Sequence, residues 1–66
     1  MPELGTTLRE ARTAAGLTQA QLAELIGVSR KTINTVENGV FTPSTTLALK
    51  LARALKTSVE ELFFLP

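Results

Sequence analysis

Residues 17–39 read LTQAQLAELIGVSRKTINTVENG, two short helix-forming segments divided by a glycine, and their reading decides the fold. Thr18-Gln19-Ala20-Gln21 has the spacing of a capping box, in which the Thr18 hydroxyl accepts from an orphan amide while Gln21 reaches back; Leu17 and Leu22 stand at staple spacing. A helix starts there. It closes at Gly27, which can take the positive φ of a sharp turn, and Ser29 caps the next helix, with Val28 and Ile33 again at staple spacing. Asn38-Gly39 ends that helix.

On a wheel of about 100° per residue, Ile33, Val36 and Val40 fall in one narrow sector of this third helix, and Lys31, Thr35 and Asn38 fall almost opposite, flanked by Asn34 and Arg30. One side is core; the other is a row of hydrogen-bonding and basic groups. Such a row is either a plain solvated face or a surface for base edges and phosphates, which Asn, Thr, Arg and Lys suit. The preceding helix favours the second reading. Ala23 is small where the two helices would cross and Gly27 lets the chain bend sharply, so a polar-faced helix follows a tight turn in the helix-turn-helix arrangement.

Outward from this unit, the chain reads as short capped helices with no alternating run of strand length. The first helix runs from Thr6 or Thr7 to Ala15, with Leu8, Ala11 and Ala15 on one face and Gly16 as its stop. Pro43 forces Thr42 out of helix and Ser44 caps a fourth helix over Thr45 to Leu55. Ser58-Val59-Glu60-Glu61 is a further capping box, opening a final turn or two. The expected fold class is all-α, a compact five-helix bundle in one domain. About 6–62 forms its helical core and 63–66 a C-terminal tail.

The stretch LTQAQLAELIGVSRKTINTVENG resembles the Xre type of helix-turn-helix, the family of phage Cro and repressor proteins, and the likeness extends from Leu8 to about Phe63. It implies a DNA-binding transcriptional regulator, usually a dimer on a palindromic operator. By matching position, Arg30, Lys31 and Thr35 look like base readers, with Asn34 beside them, and Gln19 looks like a phosphate grip. Thr32 and Asn38 would contact phosphate or flank the reading face. Arg12 and Glu37 each lie partly inward on their helices and need partners; the family pairs these two positions, so an Arg12 to Glu37 salt bridge is expected, structural in role. Where relatives commonly carry Lys and then an aromatic residue after the glycine, this chain has Val40 and Phe41. Phe41 packs over the fourth helix or touches sugar.

Other features stay open between two uses. Gln19 stands at a helix N-terminus, which attracts anions, or is an exposed first-turn glutamine. Thr42 and Ser44 either hold a second phosphate at the start of the fourth helix or only cap it. Lys50, Arg53 and Lys56 make a basic stripe, more simply a solvated face. Leu62, Phe63, Phe64 and Leu65 place four large apolar residues together; they form a two-fold interface, with Met1 and Leu4 alongside and Pro2 limiting strand pairing, or fold back over the first helix.

Composition narrows the classes. Sixty-six residues sit near the lower limit for an unstapled core, and with no cysteine or histidine there is neither disulfide nor the usual metal ligand and general base. A homodimer would help such a small domain. The net charge of +1 announces no nucleic-acid partner, so a basic surface depends on where the seven Lys and Arg fall. No apolar run reaches a membrane span of about 18 residues, and MPELGTTLRE lacks the pattern of a secretory leader, so a cytoplasmic protein is expected. No phosphate-cradling glycine loop or carboxylate pair supports an enzyme, since Glu60 and Glu61 are cap residues, and no cofactor, metal or small-molecule substrate is expected. The reading is a regulator, most simply a repressor, binding double-stranded DNA as a homodimer. Its rival is an antitoxin-like module that binds DNA only with a partner protein.

Overall fold

The computed structural model describes residues 4–66; Met1 and Pro2, expected beside the tail, lie outside them. In chain order the elements are β1 (Gly5–Thr6), α1 (Leu8–Ala14), α2 (Gln19–Ile26), α3 (Arg30–Glu37), α4 (Thr45–Ala54), α5 (Val59–Leu62) and β2 (Phe63–Phe64). The fold is all-α, with one added two-residue ladder.

Local chemistry sets the helix starts. Thr18 makes the full capping box: its hydroxyl accepts from the Gln21 amide at 3.0 Å and Gln21 Oε1 accepts from the Thr18 amide at 2.8 Å. Ser29 and Ser44 accept from the amides of Thr32 and Leu47, each at 3.1 Å. Ser58 accepts from the Glu61 amide at 3.2 Å without the reciprocal bond, so that box is only half made. Gly27 takes φ +75 between α2 and α3, where any side chain would strain the backbone. The Val28 amide then donates to the Ala23 carbonyl at 3.0 Å, holding α3 across α2 over the buried Ala23 methyl. α4 ends one residue earlier than expected, with Leu55 as its cap.

The core gathers Leu8, Leu22, Ile33, Val36, Leu51 and Leu62, which are fully buried, and Leu17 and Val28 pack on it as the staples require. Four apolar residues depart from expectation. Val40 is 77% exposed, because the helical wheel stops applying once α3 ends at Glu37 and Gly39 turns the chain with φ +73. Ala15 is exposed for the same reason, lying past the last helical residue of α1. Leu62 and Phe63, expected in a two-fold interface, are instead buried within the single chain, 1% and 7% exposed.

Both belong to the core cluster with Leu8 and Leu51, and the residues around Phe63 also pair with those before α1. β1 and β2 run antiparallel, Gly5 opposite Phe64 and Thr6 opposite Phe63. The Thr7 amide donates to the Leu62 carbonyl at 2.9 Å and the Thr7 hydroxyl to the Glu61 carbonyl at 2.7 Å. The Phe64 ring lies against Gly5 so closely that a Cβ there would stand 2.3 Å from Cε2. Leu4 packs on the core nearby, while Phe64 and Leu65 stay exposed.

Candidate nucleic-acid interface

α3 is fixed on its inner side by Ile33, Val36 and the Glu37 side chain, all buried. Ser29 opens the helix, and its Oγ also shares a hydrogen bond with Thr32 Oγ1 at 2.9 Å. With that side anchored, Arg30, Lys31 and Asn34 are exposed, and Thr32 and Thr35 half-buried. The Thr35 hydroxyl donates back to the carbonyls of Lys31 and Thr32, both at 3.0 Å.

Glu37 is the centre of a polar network that spans three helices. Its carboxylate accepts from Arg12 Nε at 2.5 Å and Arg12 Nη2 at 3.3 Å, and Arg12 Nη1 donates to the Leu17 carbonyl at 2.8 Å. Arg12 thereby ties α1 to α3 and to the entry of α2. The Glu37 side chain is fully buried and that of Arg12 12% exposed, so this is a desolvated pair whose members depend on each other. Burial pushes the Glu37 carboxyl up, but the hydrogen bonds from Arg12, Gln19 and Arg9 and the charge of Arg12 together outweigh it. Its pKa is held below the ordinary value. Among the described residues no buried polar side-chain atom lacks a partner.

Around this pair the side chains close a ring. Gln19 Nε2 donates to Glu37 Oε1 at 3.0 Å and to Asn34 Oδ1 at 3.2 Å, and Asn38 Nδ2 donates to the same Asn34 oxygen at 3.2 Å. Arg9 Nη2 donates to Asn38 Oδ1 at 2.8 Å and Arg9 Nε to Glu37 Oε1 at 3.4 Å. Two expectations shift as a result. Gln19 has both amide hydrogens engaged inside the protein, so what it offers an anion is its backbone N–H in the first turn of α2. Asn34 has its carbonyl oxygen occupied twice and keeps only its amide nitrogen for a ligand.

Arg9 is the member that sequence reasoning missed. It lies three residues before Arg12, a spacing that puts both on one side of α1, and that was the signal available. At the start of α4, Thr42 is exposed and Ser44 caps the helix, its hydroxyl oxygen accepting from Leu47. These two stand apart from the Glu37 ring. Among the described residues no group of three His, Cys, Asp or Glu side chains converges to hold a metal, and no helix is long and apolar enough to cross a membrane.

Known proteins share this arrangement. The family described as helix-turn-helix matches residues 8–62. An HTH-type transcriptional regulator of Methanothermobacter thermautotrophicus is 48% identical over 61 residues, covering 91% of this chain and 88% of that protein. Among solved structures, the restriction-modification controller protein C.AhdI from Aeromonas hydrophila superposes with a TM-score of 0.77 at 46% identity, covering 82% of this chain and 78% of that one. The clp gene regulator ClgR from Corynebacterium glutamicum gives a TM-score of 0.77 at 33% identity, over 82% of this chain and 57% of that one. A fold built around a capped, glycine-turned helix pair, matched along nearly its whole length, places the chain in the Xre-type helix-turn-helix family of transcriptional regulators, which are not enzymes.

Proposed function

We propose that the protein binds an inverted-repeat operator as a homodimer and acts most simply as a repressor by occluding a promoter. The observation that carries this reading is α3 itself, anchored by Ile33, Val36 and Glu37 so that Arg30 and Lys31 stand exposed at its start. In the major groove Arg30, Lys31 and Thr35 would read base edges, with the Asn34 amide nitrogen beside them. The backbone N–H of Gln19, the Asn38 and Thr32 side chains, and Thr42 and Ser44 at the start of α4 would set register on phosphates. The tail contributes Phe64 and Leu65 to the two-fold contact, both exposed in the single chain. Two copies so joined would meet half-sites about 34 Å apart. The same reading puts the protein in the cytoplasm with the DNA.

The second reading, a module that binds DNA only with a partner protein, draws on an open apolar groove of about 730 Å³ along α4 and α5, lined among others by Leu4, Ala48, Leu49 and Val59. Gel shift of the purified protein on its own promoter region, titrated with salt, separates the two. Tight, sequence-selective binding by the protein alone supports the regulator; weak binding rescued by a second protein supports the rival.

A further inference from the structure

The recognition surface carries an apolar groove that base hydrogen bonding does not explain. Where α3 ends, the Thr35 carbonyl accepts from two amides at once, Val40 at 3.0 Å and Phe41 at 3.2 Å. This folds the following residues back beside the helix. Val40 and Phe41, 77% and 48% exposed, then line an open groove of about 320 Å³ with Lys31 and Thr35. The Thr35 hydroxyl hydrogen is engaged by the Lys31 and Thr32 carbonyls, and the Ser29 and Thr32 hydroxyls that complete the lining bond each other, so Thr35 offers this groove no free donor. An exposed valine, a phenylalanine and a threonine with its hydroxyl hydrogen spent thus line one groove beside a lysine on the face of α3.

The bulkiest apolar group on the major-groove edge of DNA is the C5-methyl of thymine, which stands among hydrogen-bond donors and acceptors. Resting on the DNA-reading role of α3, we propose that Thr35, Val40 and Phe41 form a receptor for a thymine C5-methyl in each half-site. Lys31 at the rim supplies the charge that keeps the duplex against this wall. The residues after Gly39 are then specificity determinants, although they lie outside the helix-turn-helix itself.

The experiment uses the full chain. Binding duplexes are selected from a randomised pool, and each thymine of the selected site is replaced singly by deoxyuridine, which pairs identically and lacks only the methyl. Burial of one such group predicts roughly fourfold weaker binding at one thymine per half-site and no change elsewhere. In a Val40→Thr, Phe41→Ser variant, thymine and deoxyuridine duplexes should bind alike. Because both positions are exposed, the variant should keep the parent's circular-dichroism melting curve. A selected site with no thymine penalty anywhere, or a penalty undiminished in the variant, overturns the receptor while leaving the regulator standing. Failure to select any duplex overturns the DNA-reading role itself, and the receptor with it.

Discussion

The ring around Glu37 and the closure around Phe64 both join segments remote in sequence, and they do so by different means. The ring uses side chains: Arg9 and Arg12 from α1, Gln19 from α2, and Asn34, Glu37 and Asn38 from α3 and its cap, every bond directional and the central carboxylate fully buried. The closure uses backbone, two antiparallel residues on each side, with an aromatic ring over a glycine. A buried charged network fixes angles and fails sharply when one member is removed. A short ladder with an apolar lid yields gradually. The rigid device stands under α3, whose orientation the proposed function depends on, and the tolerant one joins β1 to β2.

Substitution of Glu37 should give the largest effect. Glu37→Gln keeps the shape but turns amide hydrogens toward Arg12, leaving a nearly buried cation without its counter-charge, and should destabilise by about 3 kcal/mol in urea unfolding. For a domain of this size that is a large share of the total. If Glu37→Gln unfolds at parental urea concentrations, the ring does not have the role assigned to it. Acid probes the same group. The folded-state pKa of Glu37 lies below its unfolded value, so its contribution is complete above the unfolded pKa and is lost as pH falls through the folded one. Stability measured against pH should fall on that acidic limb in the parent and fall less in Glu37→Gln.

At the other end, Gly5→Ala brings a methyl into the Phe64 ring, but the ring tip is flexible and partly exposed, so it should swing outward. About 0.5 to 1 kcal/mol is expected, the size of one cross-strand pair, and a loss as large as that of Glu37→Gln would erase the contrast. The smallest change in stability should come from Leu65→Glu, within about 0.5 kcal/mol for a side chain that is 83% exposed. Sedimentation velocity should nevertheless show monomers at concentrations where the parent is dimeric; a persisting dimer would remove the tail from the interface.

The two regions also differ in how far the sequence disclosed them. Thr18, Ser29 and Ser44 act within three residues of themselves, and Gly27 acts on its own backbone, so the helix-turn-helix could be read directly from spacing. The closure depends on Gly5 meeting Phe64, a contact no local rule announces. Leu62 and Phe63 therefore read as surplus apolar surface when in fact they are part of the single-chain core. Val40 was misplaced by extending helical periodicity past a cap that the same sequence declares. At the candidate site, the inward tilt of Arg12 and Glu37 was legible from the wheel, whereas Arg9, Asn34 and Asn38 acquire their places only when three helices come together around one carboxylate.

The pairing of Gly5 with Phe64 also bears on the order in which the molecule assembles. It closes a loop of nearly the entire described chain, and the entropy of closing a loop rises with its length, so α2 and α3 can form and pack before the ladder does. In the native state the reverse holds: the ladder is the element whose opening disturbs least, and the amides of Thr7 and Phe64 should exchange with solvent deuterium ahead of those of Ile33 and Val36. If α3 stays protected while the ladder breathes, the tail could exchange partners without disturbing the face of α3 proposed to read DNA.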